Sequence, residues 1–309
     1  MRISVAMATY NGHKYIVEQL DSIRNQSLKV DEVVICDDQS SDDTVSIIRN
    51  YIEKYKLDNW KVTVNKKNLG YADNFFKAMN ETSGNYIFLS DQDDIWLEDK
   101  VEKMVDVLEK NPKVMVLGSD FEPYYCTQDA PKISAQAMKT MKYNDELQHV
   151  GFSSHNIFIG SEGCTMAIRR EILGLTKQYW FSGWAHDEYL WKMAMCFDGM
   201  YIYHRKTMLR RLHSNNASKK KMHEIAKRVD FLKKLKISHE RTLDCAKDKD
   251  LNTEIIKLLN KNIKSVALRI DLLEKRKIFN TIPLIFGYIN NYHSKKSIPV
   301  EFLMAVRGK

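Results

Sequence analysis

The sequence predicts an α/β fold, a mostly parallel central sheet with flanking helices, followed by an α-helical C-terminal region. Three observations carry this. Over roughly the first 120 residues, short apolar runs alternate with helix-length amphipathic runs, the pattern of βαβ units. Polar clusters follow the first, second and fourth apolar runs, and open parallel sheets bind ligands outside the carboxyl ends of their strands. From about residue 222 the strand-length runs give way to long basic helical stretches.

Each element has a local reason. Residues 3–8 are a short apolar strand. Residues 13–25 carry Ile16, Leu20 and Ile23 at helical spacing. Residues 32–36 are β-branched and strand-like. Residues 42–55 are helical, with Asp42 or Asp43 able to cap the start. Residues 61–65 form a third strand, and 72–80 a helix closed by Ser83-Gly84-Asn85. Residues 86–89 are a fourth strand. Residues 97–110 are a helix stopped by Asn111-Pro112, and 114–117 a fifth strand.

Residues 120–160 are less regular, with one short helix near 135–141. Beyond them, 163–169 read as strand, 185–197 as helix, and 200–203 and 207–212 as strands. Residues 222–246 and 251–277 read as two basic amphipathic helices, the second striped by Ile255, Leu258, Leu259, Ile263, Val266, Ile270 and Leu273. Residues 279–289 are apolar and aromatic, interrupted by Pro283 and Gly287. This run is too short to span a bilayer and suited to lie in an interface. The expected division is a domain over 1–218 and a basic helical region over 219–309.

Composition narrows the class. Of 309 residues, 44% are hydrophobic and 28% charged, ordinary for a globular protein. The opening Met1-Arg2-Ile3-Ser4 turns polar too quickly for a signal peptide. No apolar run of about 18 residues predicts a transmembrane helix. Five scattered cysteines, an odd number with no C-x-x-C pair, favour reduced thiols in a cytosol over a disulfide frame or a zinc site. The formal charge of +8 is uneven: residues 219–309 hold 22 Lys+Arg against 10 Asp+Glu. Such a tail suits an anionic surface, or is a solvated helical face. It lacks a zinc-finger or RNA-binding signature, and its cations interleave with apolar stripes, which argues against nucleic acid. The expected location is cytoplasmic, peripheral at the inner face of the cell membrane.

The chemistry-bearing segment is Ser90-Asp91-Gln92-Asp93-Asp94-Ile95-Trp96, at the exit of the fourth strand. Carboxylates this close repel and resist leaving water. A hard cation such as Mg²⁺ or Mn²⁺ offsets that and often stays bound by one or two carboxylates plus substrate phosphates. The alternative is an acidic loop capping the next helix. Asp91 and Asp93 share a face if the strand continues. Thr9, Tyr10 and Asn11 follow strand one, where Asn11-Gly12 also makes a turn. Asp38 ends strand two, where a carboxylate can accept from a pyrimidine N–H or ribose hydroxyls, while Asp37 reads as structural. No G-x-G-x-x-G follows any strand, against a dinucleotide fold.

Ala8-Thr9-Tyr10-Asn11-Gly12, Asp37-Asp38-Gln39-Ser40-Ser41-Asp42, Asn68-Leu69-Gly70, Asp91-Gln92-Asp93-Asp94-Ile95-Trp96 and His186-Asp187 occur in the order seen in family 2 glycosyltransferases. The chain resembles that family over roughly residues 2–216. The Asp-Gln-Asp-Asp-Ile-Trp form and Leu212-His213-Ser214-Asn215-Asn216 look most like the bacterial rhamnosyltransferase branch. The resemblance implies a GT-A fold and inverting transfer from a nucleotide sugar. It places Thr9, Tyr10, Asn11, Asp38, Asn68, Gly70, Asn74, Asp91 and Gln92 at the donor. Asp93 becomes the main metal ligand, Asp91 faces the donor ribose or the metal's water shell, and His213 completes the metal or diphosphate site. Asp94 is then structural, capping the helix from Leu97, and Trp96 is core. Arg210 and Arg211 read either as diphosphate contacts or as a basic strand edge. Gly163-Cys164-Thr165 lines the acceptor side, with Cys164 as packing. An inverting transfer needs one base for the acceptor hydroxyl, and the resemblance assigns it to Asp187, with His186 standing where an acid is usual.

The implied reaction is metal-dependent transfer of a sugar, L-rhamnose from dTDP-rhamnose, to a saccharide or polyprenyl-linked acceptor in bacterial cell-surface polysaccharide synthesis. A UDP-hexose donor and an inactive GT-A assembly module stay open. Intact Asp91, Asp93 and Asp187 argue against the second.

Overall fold

The computed structural model describes residues 1–158, 160–214 and 224–307. The expected domain boundary at 218/219, and Asn215-Asn216 of the last motif, lie outside them. The first half alternates as anticipated: β1 (Ile3–Thr9), α1 (Ile16–Arg24), β2 (Glu32–Asp37), α2 (Thr44–Tyr55), β3 (Trp60–Val64), α3 (Tyr71–Glu81) and β4 (Tyr86–Ser90). Then come β5 (Ile95–Trp96), α4 (Lys100–Lys110), β6 (Val116–Tyr125), α5 (Ala135–Thr140) and β7 (Leu147–His149). A 3₁₀ turn at Gly163–Thr165 leads into β8 (Ala167–Arg169), α6 (Arg170–Thr176), α7 (His186–Cys196) and β9 (Met200–Leu212). The chain closes with α8 (Ile225–Asp248), α9 (Thr253–Glu274), α10 (Thr281–Tyr288) and α11 (Ser297–Arg307).

Among the described residues the sheet order is β3-β2-β1-β4-β8-β6-β9-β5, with β7 also on β9. The β3-β2-β1-β4 half is parallel. Beyond it, β8 runs antiparallel to both β4 and β6, β6 and β9 pair in parallel, and β5 and β7 pair antiparallel with β9. The sheet is therefore mixed. The two strand segments expected over 200–212 are one continuous strand. The single register of 163–169 is broken by the 3₁₀ turn.

Side-chain alternation builds two cores, one on each face. Val5, Met7, Val33, Ile35 and Phe88 pack against Ile16 and Leu20 of α1, Ile48 of α2 and Val101 and Met104 of α4. Ala6, Val34, Cys36, Ile87 and Leu89 face Phe75 and Met79 of α3, Ile172 of α6 and Tyr189, Leu190 and Met193 of α7. Cys245 of α8 belongs to that second core, and Tyr179 donates to Asp248 at 3.1 Å. The basic helical region is thus docked on the sheet domain. Its own core joins Val229, Leu232, Val266, Leu273 and Leu284. Inside it, Glu301 of α11 is held between Arg269 (2.7 Å) and Arg228 (3.0 Å).

Candidate active site

The three polar clusters meet at the carboxyl ends of β1, β2 and β4. Thr9 donates to Asp37 at 2.8 Å, and Asp37 also accepts from the Ser40 backbone and hydroxyl at 2.8 and 2.6 Å. Asp37 is buried and fully engaged, the structural member of its pair. Asn11 reaches the second loop through Ser40 and Ser41, each at 2.8 Å. The Gln92 amide pairs with the Tyr10 peptide in both directions, at 2.8 and 3.0 Å. A Cβ on Gly12 would lie 2.3 Å from Gln92 Oε1, so this pairing needs glycine there. Three turns bend the loops tightly: Asn11 at φ 49°, Gln39 at 64° and Gly70 at 82°, where asparagine and glycine sit with least strain.

Asp38 is buried beneath this rim. It accepts from Asn65 at 2.8 Å and from the Leu69 and Gly70 backbone N–H at 2.7 and 2.8 Å. Asn68 donates to the Asp38 carbonyl at 2.9 Å. The carboxylate thus fixes the 68–70 loop. Asn74 lies behind it, buried, donating to the Cys36 carbonyl (2.7 Å) and accepting from Asn65 (2.8 Å). Its amide is occupied within the fold, while Tyr10, Asn11 and Asn68 stand at the open rim.

The acidic segment divides by environment. Asp93 meets His213 Nε2 at 2.8 Å, with the His213 ring 5.1 Å from Tyr15. Asp91, half-buried, and Asp94, buried, lie with the Cys164 thiol so that their donor atoms fall within 4.8 Å of one another. Burial, then the neighbouring carboxylates, push the Asp91 carboxyl well up. Burial and Asp93 do the same to Asp94. Cys164 is also pushed well up by burial, and a soft thiol is a poor ligand for a hard cation. Oxygen donors crowded to the point of mutual repulsion, with His213 beside Asp93, fit Mg²⁺ or Mn²⁺.

The expected capping role of Asp94 is corrected. α4 starts only at Lys100, with Asp99 before it, and Asp94 instead accepts from the Arg211 backbone of β9 at 2.9 Å. The two-residue strand β5 fills the space between them. The Arg211 guanidinium donates to the Asp93 carbonyl and to Glu18, both at 2.6 Å, and sits over the Tyr15 ring. Arg210, the next residue, pairs with Glu162 at 3.0 Å and lowers the cost of ionising Asp91 and Asp94. Trp96 is buried in the core.

Asp187 opens α7. The approach is pinned by Asp73 of α3, which accepts from Trp180 (3.2 Å), Ser182 (2.6 Å) and the Gly183 N–H (3.1 Å). Gly163 lies directly against the helix start: a Cβ there would stand 2.4 Å from His186 Nε2 and 3.3 Å from Asp187 Cβ. His186 is buried and stacked 4.0 Å from Phe75. Burial lowers its pKa to about 3, so the position is a neutral packing ring. Asp187 is raised to about 7, first by burial and then by Glu162 and Glu188. Such a carboxylate is matched to accept a proton near neutral pH.

Two neighbours escaped the sequence reading. Glu162 joins Asp187 to Arg210 and so to the acidic segment. Tyr71, 59% exposed, lies close enough to feel Asp187 and Glu188. Glu162 precedes a loop that the motifs single out, but nothing in sequence ties it to Arg210.

An acidic segment at a strand end and a raised carboxylate near a helix start are thus carried by one mixed sheet and its helices. The glycosyl transferase family 2 model matches residues 4–174, and the chain belongs to that family. It is 28% identical over 266 residues to the dTDP-rhamnosyl transferase RfbG of Shigella flexneri, covering 82% of this chain and 83% of that one. It is also 28% identical over 244 residues to an uncharacterised glycosyltransferase of Haemophilus influenzae, covering 77% and 73%. Among solved structures, Staphylococcus aureus TarS 1-349 in complex with UDP-GlcNAc superposes with a TM-score of 0.64 at 18% identity, over 99% of this chain and 82% of that one. The mannosyltransferase PcManGT of Pyrobaculum calidifontis, with GDP-Man and Mn²⁺, gives 0.56 at 16% identity, over 100% and 88%.

Proposed function

We propose that the chain is an inverting, divalent-metal-dependent glycosyltransferase that moves L-rhamnose from dTDP-rhamnose to a saccharide or lipid-linked saccharide acceptor. The observation that carries this is the line of charge from Asp187 through Glu162 and Arg210 to Asp91. It links the Asp187 carboxyl to the acidic segment through two intervening charged residues, which supports a proton acceptor near a cation-binding segment. The similarity to a dTDP-rhamnosyl transferase over most of both chains supports the sugar and the nucleotide.

In this reading residues 1–218 hold the transferase site and 219–309 form the docked helical region. The donor lies over Thr9, Tyr10, Asn11, Asp38, Asn68 and Gly70, with Asn74 and Gln92 positioning these loops from behind. Asp93, with His213 and Asp91, would hold Mg²⁺ or Mn²⁺, Asp91 on the side toward the donor ribose. The cation supplies Lewis-acid stabilisation of the leaving diphosphate. Asp187 takes the acceptor hydroxyl proton as that oxygen forms its bond to the anomeric carbon, and the nucleoside diphosphate departs with the electron pair. Gly163-Cys164-Thr165 borders the acceptor side.

The test is a panel of nucleotide sugars, dTDP-rhamnose, UDP-hexoses and GDP-mannose, scored for nucleoside diphosphate release with Mg²⁺ or Mn²⁺ and candidate acceptors. Asp187→Asn should keep donor binding and lose transfer. Preference for a UDP-hexose would replace the donor assignment, and normal transfer by Asp187→Asn would remove the base.

A further inference from the structure

The C-terminal helices leave an apolar surface uncovered. From residue 278 to residue 294 the chain has no Asp, Glu, Lys or Arg. Within this stretch α10 turns Leu284 fully inward, while Phe279 is 86% exposed, Phe286 85% and Ile282 57%. α11 packs beside α10. It buries Ile298, Glu301, Met304 and Ala305 and exposes Val300, Leu303 and Val306. Both helices are sorted by face, but their outer faces are apolar, the reverse of an ordinary surface helix. Contiguous exposed apolar patches on soluble proteins mark interaction sites.

The rim of this patch is basic. Lys275, Arg276 and Lys277 precede it, Lys295 and Lys296 follow it, and Arg307 lies at the end of α11, all exposed. Lys275 and Lys277 share one acid, Asp271, at 2.8 and 2.7 Å. Glu301 faces inward between Arg228 and Arg269 and does not offset the rim.

We propose that this face docks on an anionic membrane surface. Phe279, Ile282 and Phe286, with Val300, Leu303 and Val306 beside them, enter the boundary between headgroups and acyl chains. The rim cations meet lipid phosphates. Exposed apolar helix faces flanked along the chain by exposed Lys and Arg match the profile of an anionic leaflet. A second copy of the chain is disfavoured, because pairing this face with itself brings two basic rims together. No helix among the described residues is long and apolar enough to cross a membrane, so the mode is lying on the surface. The inference stands apart from the donor and acceptor assignments.

The test is flotation of the full chain with vesicles of phosphatidylcholine containing about a third phosphatidylglycerol, against phosphatidylcholine alone. The chain should float with the anionic vesicles, less so at high salt. Phe279→Ser/Phe286→Ser should lower partitioning about tenfold or more with an unchanged melting temperature. Lys295→Glu/Lys296→Glu, at exposed positions, should remove the anionic preference even if the phenylalanine variant folds poorly. A wild-type chain that stays unbound to both vesicles overturns the proposal. So does an anionic preference that survives the lysine variant, or a folded phenylalanine variant that floats normally. A wild-type dimer that this variant turns into monomer, without vesicle binding, assigns the face to a second copy and also overturns it.

Discussion

Replacing Gly163 by alanine probes the contact that carries Asp187. The added methyl carbon would lie 2.4 Å from His186 Nε2 and 3.3 Å from Asp187 Cβ. His186 cannot swing aside cheaply, because its ring is buried and stacked 4.0 Å from Phe75. The start of α7 must therefore shift, and Asp187 with it. Overpacking of this kind costs about 1–3 kcal/mol. With Asp187 as the proposed base, a displacement approaching 1 Å costs on the order of 100-fold in rate. Gly163→Ala should then lower the unfolding midpoint in urea and reduce transfer by about 10- to 100-fold, with donor binding nearly intact. Gly174→Ala is the control: nothing lies within 4 Å of its Cβ position. It sits inside α6, where alanine should stabilise by about 0.5–1 kcal/mol. If Gly163→Ala matches wild type in both stability and transfer, the turn does not position Asp187 by contact.

Burial raises the Asp187 carboxyl to about 7, so below that pH it is protonated and cannot accept. The kcat/KM for transfer should rise with pH through about 7 and level off above it; a profile flat between about pH 5.5 and 8.5 removes Asp187 as the titrating base. Asp93→Ala should abolish the Mn²⁺-dependent part of nucleoside diphosphate binding, and His213→Ala should weaken it by about tenfold or more; titration curves identical to wild type would take both residues out of the cation site. Glu301→Ala strands Arg269 and Arg228 around a hole in the helical region. It should cost about 3–5 kcal/mol, and a loss below about 1 kcal/mol would show that the three groups are not coupled.

Much of the sheet half was legible because buried parallel strands read as continuous apolar runs, and β1, β2 and β4 do. The polar clusters after them were legible for the same reason, since charge at the end of a buried run has few explanations. β5 and β7, of two and three residues, had no signal, because such strands exist through their partners' hydrogen bonds and not through their own propensity, while β8 showed only as the end of a longer strand-like run. α11 was hidden by lying beyond an apolar run that had no helical period of its own.

Within the site, sequence alone determined which residue types cluster: three carboxylates at one strand end, an Asn-Gly turn at another, and a carboxylate at a helix start. Their division of labour came from tertiary contacts. Asp94 holds β9 and not a helix, Asn74 and Gln92 brace loops, His186 is a neutral packing ring, and Glu162 bridges to Arg210. Those outcomes depend on which groups meet across tens of residues and how much water remains around them. Local spacing sets chemical types, and only the folded neighbourhood sets protonation, partners and room.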